Sequence, residues 1–167
     1  MTEARWLDAR QERAWRALQF MQMRLTAHLT RDLAAESGLA YQDYVVLVAL
    51  TDELAGRLRL FELAEKIGWE RSRLSHHVSR MADRGLVIKE KCPSDRRGSF
   101  VAVTPLGKKE IAAAAPCHAE SVRRLFVDPL TPEQLDAIGD AAQIVLERLA
   151  QFDPTASDER DDKEPAS

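Results

Sequence analysis

The chain has 167 residues, 45% of them hydrophobic, enough for one ordinary core and too few for two comfortable domains. Its longest apolar run, Tyr44 to Leu50, is far shorter than a membrane span, and the charged stretch Met1 to Arg10 has no apolar signal-peptide core, so a soluble cytoplasmic protein with no membrane partner is expected. A net charge of −3 would exclude a polyanionic partner if it were evenly spread, but Arg57 to Glu110 carries 13 Lys and Arg against 7 Asp and Glu, which is net +6 and leaves −9 on the flanks.

From Trp6 to about Ala35 there is no Pro or Gly, and Leu7, Ala14, Leu18, Met21, Leu25 and His28 recur at helical spacing, which predicts a long amphipathic helix ending near Gly38. Tyr41 to about Glu53 reads as a helix apolar around most of its circumference, so it belongs in the core. Leu60 to Ile67, closed by Gly68, and a second helix from near Glu70 to Arg84, closed by Gly85, are two short helices across a tight turn. After Gly85 the period changes. Leu86 to Lys91 and Ser99 to Val103 are β-rich runs around Cys92-Pro93-Ser94-Asp95-Arg96-Arg97-Gly98, a hairpin with a basic tip.

Thr104-Pro105 caps a helix running through Ile111 toward Phe126, within which Pro116 should produce a kink or a split. Thr131-Pro132-Glu133-Gln134 is a capping box, and the helix after it places Leu135, Ile138, Ala142, Val145 and Leu149 on one stripe that wants a partner. From Asp153 the chain is acidic and polar, which predicts a disordered tail. The fold class expected is mainly α with a small β-hairpin wing.

On the helix after Glu70, Leu74, Val78 and Met81 fall on one side, and Ser72, Arg73, Ser75, His76, Ser79 and Arg80 on the other, at about 100° per residue. Arginine forks, hydroxyls and an imidazole suit the major groove, where Arg bonds guanine O6 and N7 in bidentate fashion. A polar face alone fits any solvated helix equally well. Its place after a helix-turn and before a basic hairpin points to duplex DNA. Arg96 and Arg97 at the hairpin tip suit a narrow minor groove, and Asp95 supports the wing either as a turn cap or as an ion pair aiming an arginine.

The run from Leu60 to Gly107 resembles the MarR family of multiple antibiotic resistance regulators. The likeness is carried by Leu63-Ala64, Ile67-Gly68, Ser72-Arg73-Leu74-Ser75-His76 and Gly85-Leu86-Val87. Its specific part is Asp95-Arg96-Arg97-Gly98 followed by Val101-Ala102-Val103-Thr104-Pro105-Leu106-Gly107, similar to that family's wing signature of aspartate-x-arginine and a strand closing in threonine-x-x-glycine. In order and spacing the match extends over roughly residues 6 to 150. The resemblance implies an obligate homodimer with intertwined N- and C-terminal helices, and winged lobes on a pseudo-palindromic operator. Ser72, Arg73, Ser75 and His76 would then stand at recognition-helix positions, with Arg97 in the minor groove. It implies a dimerisation helix at 1–38, a DNA-binding lobe at 39–104 with its wing at about 86–103, C-terminal dimerisation helices at 105–152 and the tail at 153–167. One departure is Gly68-Trp69-Glu70, which offers no Ser, Thr or Asp cap to the recognition helix.

Members of that family commonly respond to small aromatic or phenolic anions, or to thiol oxidation. Arg24, His28, Tyr41, Tyr44 and Trp69 are ligand-binding candidates on chemistry alone, pairing cations with stacking surfaces. The peroxide-sensing branch is less similar, because no cysteine precedes Cys92, and Cys117 reads as a packed thiol. The function expected is therefore a sequence-specific regulator binding double-stranded DNA, a repressor released by a small molecule. The alternatives are a metal- or thiol-responsive regulator, or a winged interaction module without DNA binding. A metal site is not expected, since adjacent His76 and His77 diverge by about 100° on a helix. No cofactor or catalytic motif is present either, so an enzyme is not expected.

Overall fold

The computed structural model describes residues 5–91 and 99–152. The chain divides into two compact units, Met1–Arg123 and Arg124–Ser167.

The first unit begins with α1 (Ala9–Ser37). Asp8 caps it, accepting from the N–H groups of Arg10 and Gln11 at 2.9 and 2.8 Å, while its own N–H donates to the Gln11 side chain at 3.0 Å. Only Leu29 and Leu33, near the end of α1, are buried. α2 (Tyr41–Thr51) runs through the core, with Val46, Leu47 and Leu50 fully buried. Against it pack α3 (Leu60–Ile67) and α4 (Arg71–Asp83), the latter through Leu74, Val78 and Met81.

The hairpin expected after Gly85 is present as β2 (Val87–Lys91) and β3 (Ser99–Val103), in antiparallel register with Val87 opposite Val103 and Lys89 opposite Val101. A third strand, β1 (Arg57–Arg59), pairs on the other edge of β3, giving the order β1-β3-β2. Three residues of alternating charge and leucine are too short a run to stand out as a strand. What makes them one is the ladder that β3 offers.

Thr104 ties this sheet to α5 (Pro105–Val122). Its hydroxyl accepts from the Gly107 N–H at 3.0 Å and donates to the Gly85 carbonyl at 2.6 Å. Gly107 sits so close to the chain that a Cβ there would meet the Leu86 carbonyl oxygen at 2.2 Å. The threonine-x-x-glycine of the sequence is thus a joint between wing and helix that no larger residue fits.

Pro116 does not split the helix, since α5 continues through it to Val122. Its ring is exposed, while Ile111, Ala114 and Ser121 are buried on the other side. The Ser121 hydroxyl donates to Asp32 of α1 at 2.9 Å, and packing of α5 against α1 outweighs the one backbone bond that proline removes. A π-helical turn, Arg123–Val127, follows.

The second unit contains α6 (Pro132–Ala150), opened by the expected capping box, in which Thr131 Oγ1 accepts from the Gln134 N–H at 3.3 Å and its own N–H donates to Gln134 at 3.0 Å. Every residue of α6 except Leu135 is exposed.

Candidate nucleic-acid interface

The helix-turn-helix is built by α3, Gly68-Trp69-Glu70 and α4. Glu62 closes the start of α3 by accepting the Arg59 N–H at 2.8 Å. Glu70 precedes α4 without any side-chain cap bond, as its sequence requires, so the first turn of α4 keeps N–H groups open to an anion. Burial of Leu74, Val78 and Met81 sets the rotation of α4 and turns Ser72, Arg73, His76 and Arg80 out to solvent.

Ser75 and Ser79 are placed differently from the other four. Both are half-buried, and Lys89 of β2 donates to the Ser79 hydroxyl at 2.6 Å and to the Ser75 carbonyl at 3.3 Å. The Ser79 hydroxyl also donates to the Ser75 carbonyl at 2.9 Å. These two serines tie the wing strand to α4. Asp95, Arg96 and Arg97, together with Cys92, lie outside the described residues.

Arg73 and Arg80 each rest on a neighbour. The Arg73 guanidinium lies 4.7 Å from the centre of the Trp69 ring, a cation–π contact that orders a long side chain. Arg80 Nη2 is 3.2 Å from His77 Nδ1. Behind that face is a buried ion cluster that sequence reasoning missed. Asp43 of α2 is fully buried, and Arg84 donates to its two oxygens in bidentate fashion, at 2.7 Å each. His77 Nε2 lies 2.9 Å from Asp43 Oδ1, off the line of a hydrogen bond, and the imidazole meets Trp69 edge-on at 5.4 Å. Burial pushes the His77 pKa below its ordinary value, aided by Arg80 and Arg84 and opposed by Asp43. The signal available in the sequence was an acidic residue inside an otherwise apolar α2, since a carboxylate there needs a cation.

On the sheet, Arg57 and Arg59 of β1 lie 5.0 and 5.7 Å from the centre of the Phe100 ring, and Arg57 pairs with Glu90 at 3.3 Å. β1 therefore adds two cations to the basic third of the chain.

Of the ligand candidates, Tyr41 and Tyr44 come together. They line an open cleft of about 340 Å3 with Val45, Val48, Asp52 and Lys66. The Tyr44 ring is 4.5 Å from that of His118, whose Nδ1 is buried with no hydrogen-bond partner among the described residues. Burial raises the Tyr44 pKa and lowers that of His118. Among the described residues the cleft lining does not include Arg24, His28 or Trp69. Arg24 and His28 are exposed on α1, His28 beside Arg31, and Trp69 serves the α4 face. The Cys117 thiol is pushed up to about 11 by its hydrogen bond to Glu36, with burial and the charges of Glu36 and Asp32 adding to it. No group of three or more His, Cys, Asp or Glu among the described residues is placed to hold a metal ion, and no described helix is long and apolar enough to cross a membrane.

A helix-turn-helix followed by an antiparallel hairpin, with a polar second helix, defines a winged-helix DNA-binding lobe. Comparison with known proteins narrows the class. The MarR family model matches residues 37–98. The chain is 38% identical to AbsC, a MarR family transcriptional regulator from Streptomyces coelicolor, with a TM-score of 0.81 over 89% of this chain and 99% of that one. It is 40% identical to Sco3205, a MarR family regulator from the same organism solved in complex with DNA, with a TM-score of 0.81 over 87% and 92%. The transcriptional regulator HosA of Escherichia coli O111:H- is 33% identical over 96 residues, 58% of this chain and 69% of HosA. The chain belongs to the MarR family, and it is a DNA-binding transcriptional regulator.

Proposed function

We propose that the protein binds a pseudo-palindromic operator as a homodimer, represses transcription there, and is released by a small aromatic or phenolic effector. The observation that carries this is the outward face of α4. Arg73 and Arg80, with Ser72 and His76, stand exposed on a helix whose other side is locked into the core, which is what base reading in the major groove demands. Ser75 and Ser79 contribute from the side nearer the wing, and Arg96 and Arg97 take the minor groove with Asp95 in support. The lobe at 39–104 is the DNA-binding part, and the helices of 1–38 and 105–152 form the dimer. In support of the dimer, Trp15, Phe20 and Met23 of α1 and Ile144, Val145, Leu146 and Leu149 of α6 are all more than half exposed in the single chain, a burden that a lone soluble protein rarely carries.

For the effector, the cleft at Tyr41, Tyr44 and Lys66 offers two aromatic walls and a cation. Lys66 donates to Glu53 at 2.7 Å and to the Ala49 carbonyl at 3.3 Å, so an anion would compete with Glu53 for it. The site is thus suited to an aromatic carboxylate or phenolate.

The experiment is fluorescence anisotropy with a duplex selected from random-sequence DNA by the full-length protein, titrated at several salt concentrations. Specific binding that weakens steeply with salt, by one unit of log–log slope for roughly each phosphate contact, is the expected result. No enriched sequence, or an affinity indifferent to salt, would overturn the operator reading. Among benzoate-type compounds added to the bound complex, at least one is expected to lower its affinity, and the Tyr44→Ala variant should abolish that response.

A further inference from the structure

His77 lies behind the recognition face, and its two ring nitrogens have different partners. Nε2 faces Asp43 Oδ1 at 2.9 Å, and Nδ1 lies 3.2 Å from Arg80 Nη2. A guanidinium only donates, so the Arg80 contact requires Nδ1 to accept and therefore to carry no proton. In that state the ring's single proton is on Nε2, which lies close to the Asp43 carboxylate but off the line of a hydrogen bond to it. The His77 side chain is only 12% exposed and Asp43 is wholly buried and held by Arg84, so the ring has a fixed seat. Arg80, exposed on the far side of that ring, takes its direction from it.

We propose that His77 is a positioning residue for operator recognition: neutral, it holds Arg80 through Nδ1, and protonation of the ring releases that arginine. This rests on Arg80 being a DNA contact. A proton on Nδ1 converts the acceptor into a donor and sets a positive ring against a positive guanidinium. The charged groups that face the ring are Asp43 from α2, Arg80 from α4 and Arg84 at the C-terminal cap of α4, while Trp69, between α3 and α4, presents an uncharged ring. Burial and the two arginines together outweigh Asp43, so the ring is neutral at pH 7 to 8 and takes its proton only below the usual histidine range. Arg80 is therefore held at neutral pH and freed as the pH falls.

The test compares wild type, His77→Gln, Arg80→Ala and the double variant on a labelled duplex selected at pH 8 with the full-length wild type. Exposed His76 shares this face, so the quantity followed is the affinity ratio of wild type to His77→Gln. Glutamine keeps a polar side chain beside Asp43 but does not titrate. The ratio is expected to fall roughly three- to tenfold between pH 8 and a pH below the midpoint of the ring's own NMR titration, the worth of one hydrogen bond. In the Arg80→Ala background it should not change with pH.

In the free protein, an NMR titration of the His77 ring should show its pKa rising on Arg80→Ala. A ratio constant with pH, a pH dependence that survives in Arg80→Ala, or a ring titration indifferent to Arg80 would each overturn the proposal. Should Arg80→Ala bind like wild type at pH 8, the DNA contact of Arg80 fails and the proposal fails with it, even if the ring titration responds. Failure to select any duplex would instead sink the operator reading itself. Should His77→Gln not fold, as judged by its thermal melt, the NMR comparison decides alone.

Discussion

The second helix of the helix-turn-helix, α4, and the last described helix, α6, show the same apolar periodicity and meet opposite fates. In α4, Leu74, Val78 and Met81 are fully buried, whereas in α6 Ile138, Val145 and Leu149 are 37, 56 and 53% exposed. An amphipathic stripe reports that a face needs burial; it does not say whose atoms supply it. Around α4 they come from the same chain, from α2, α3 and the sheet. For α6 they are proposed to come from a second copy.

The largest expected effect breaks that comparison at α6. Replacing Val145 and Leu149 together by Asp is expected to raise the dimer dissociation constant by more than about a hundredfold, since each buried aliphatic side chain contributes about 1.5–3 kcal/mol. Sedimentation equilibrium measures it. An unchanged self-association constant would mean that α6 is exposed for some other reason.

A smaller effect is expected inside the lobe. Arg84→Ala strips the bidentate partner from buried Asp43. Breaking a fully buried pair typically costs 3–5 kcal/mol, but the Arg84 side chain is 49% exposed, so water reaches the gap and a loss of about 2 kcal/mol is expected by urea denaturation. The two variants differ in kind as well as size. The α6 loss should grow on dilution, while the Arg84 loss at fixed oligomeric state should not.

Smaller again is Arg73→Ala, expected to cost about 1–3 kcal/mol of discrimination at one base pair. The preference lost at that position is read from a selection profile. Arg97→Ala should instead weaken all sequences alike and reduce the salt slope by about one. If Arg73→Ala leaves the selected sequence unchanged, the outward face of α4 is merely solvated.

The sequence made most of this frame legible because helix boundaries in this chain are written in local chemistry. Thr104-Pro105 and Thr131-Pro132 are caps, Gly38, Gly68 and Gly85 are stops, and the β-rich runs Leu86 to Lys91 and Ser99 to Val103 pair as a hairpin. What escaped depended on partners distant in the chain. β1 is a strand only because β3 lies beside it, Pro116 is tolerated because α1 packs on α5, and the Asp43, His77 and Arg84 cluster joins α2 to α4 across 41 residues. Ring chemistry alone groups Trp69 with the tyrosines as a ligand candidate. In the structure it braces Arg73 and His77 instead.

The smallest expected effect concerns Cys117, on the stretch of α5 that faces α1. The reactive form of a cysteine is the thiolate, and its hydrogen bond to Glu36, with burial and the nearby acidic charges, pushes the Cys117 thiol up to about 11. At pH 7 the thiolate is then on the order of one part in ten thousand. Oxidants and alkylating agents should find almost nothing to attack until the pH approaches 11. In a Cys92→Ser background, iodoacetamide labelling is therefore expected to stay slow through pH 9 and to rise steeply above it. Glu36→Gln, which removes the charge against the sulfur, should bring that rise to lower pH. Mild peroxide should leave DNA affinity of the same Cys92→Ser protein unchanged. Rapid labelling at pH 7, or an affinity lost to peroxide, would make Cys117 a sensor and move the release of DNA from the Tyr41 and Tyr44 cleft to the contact between α5 and α1.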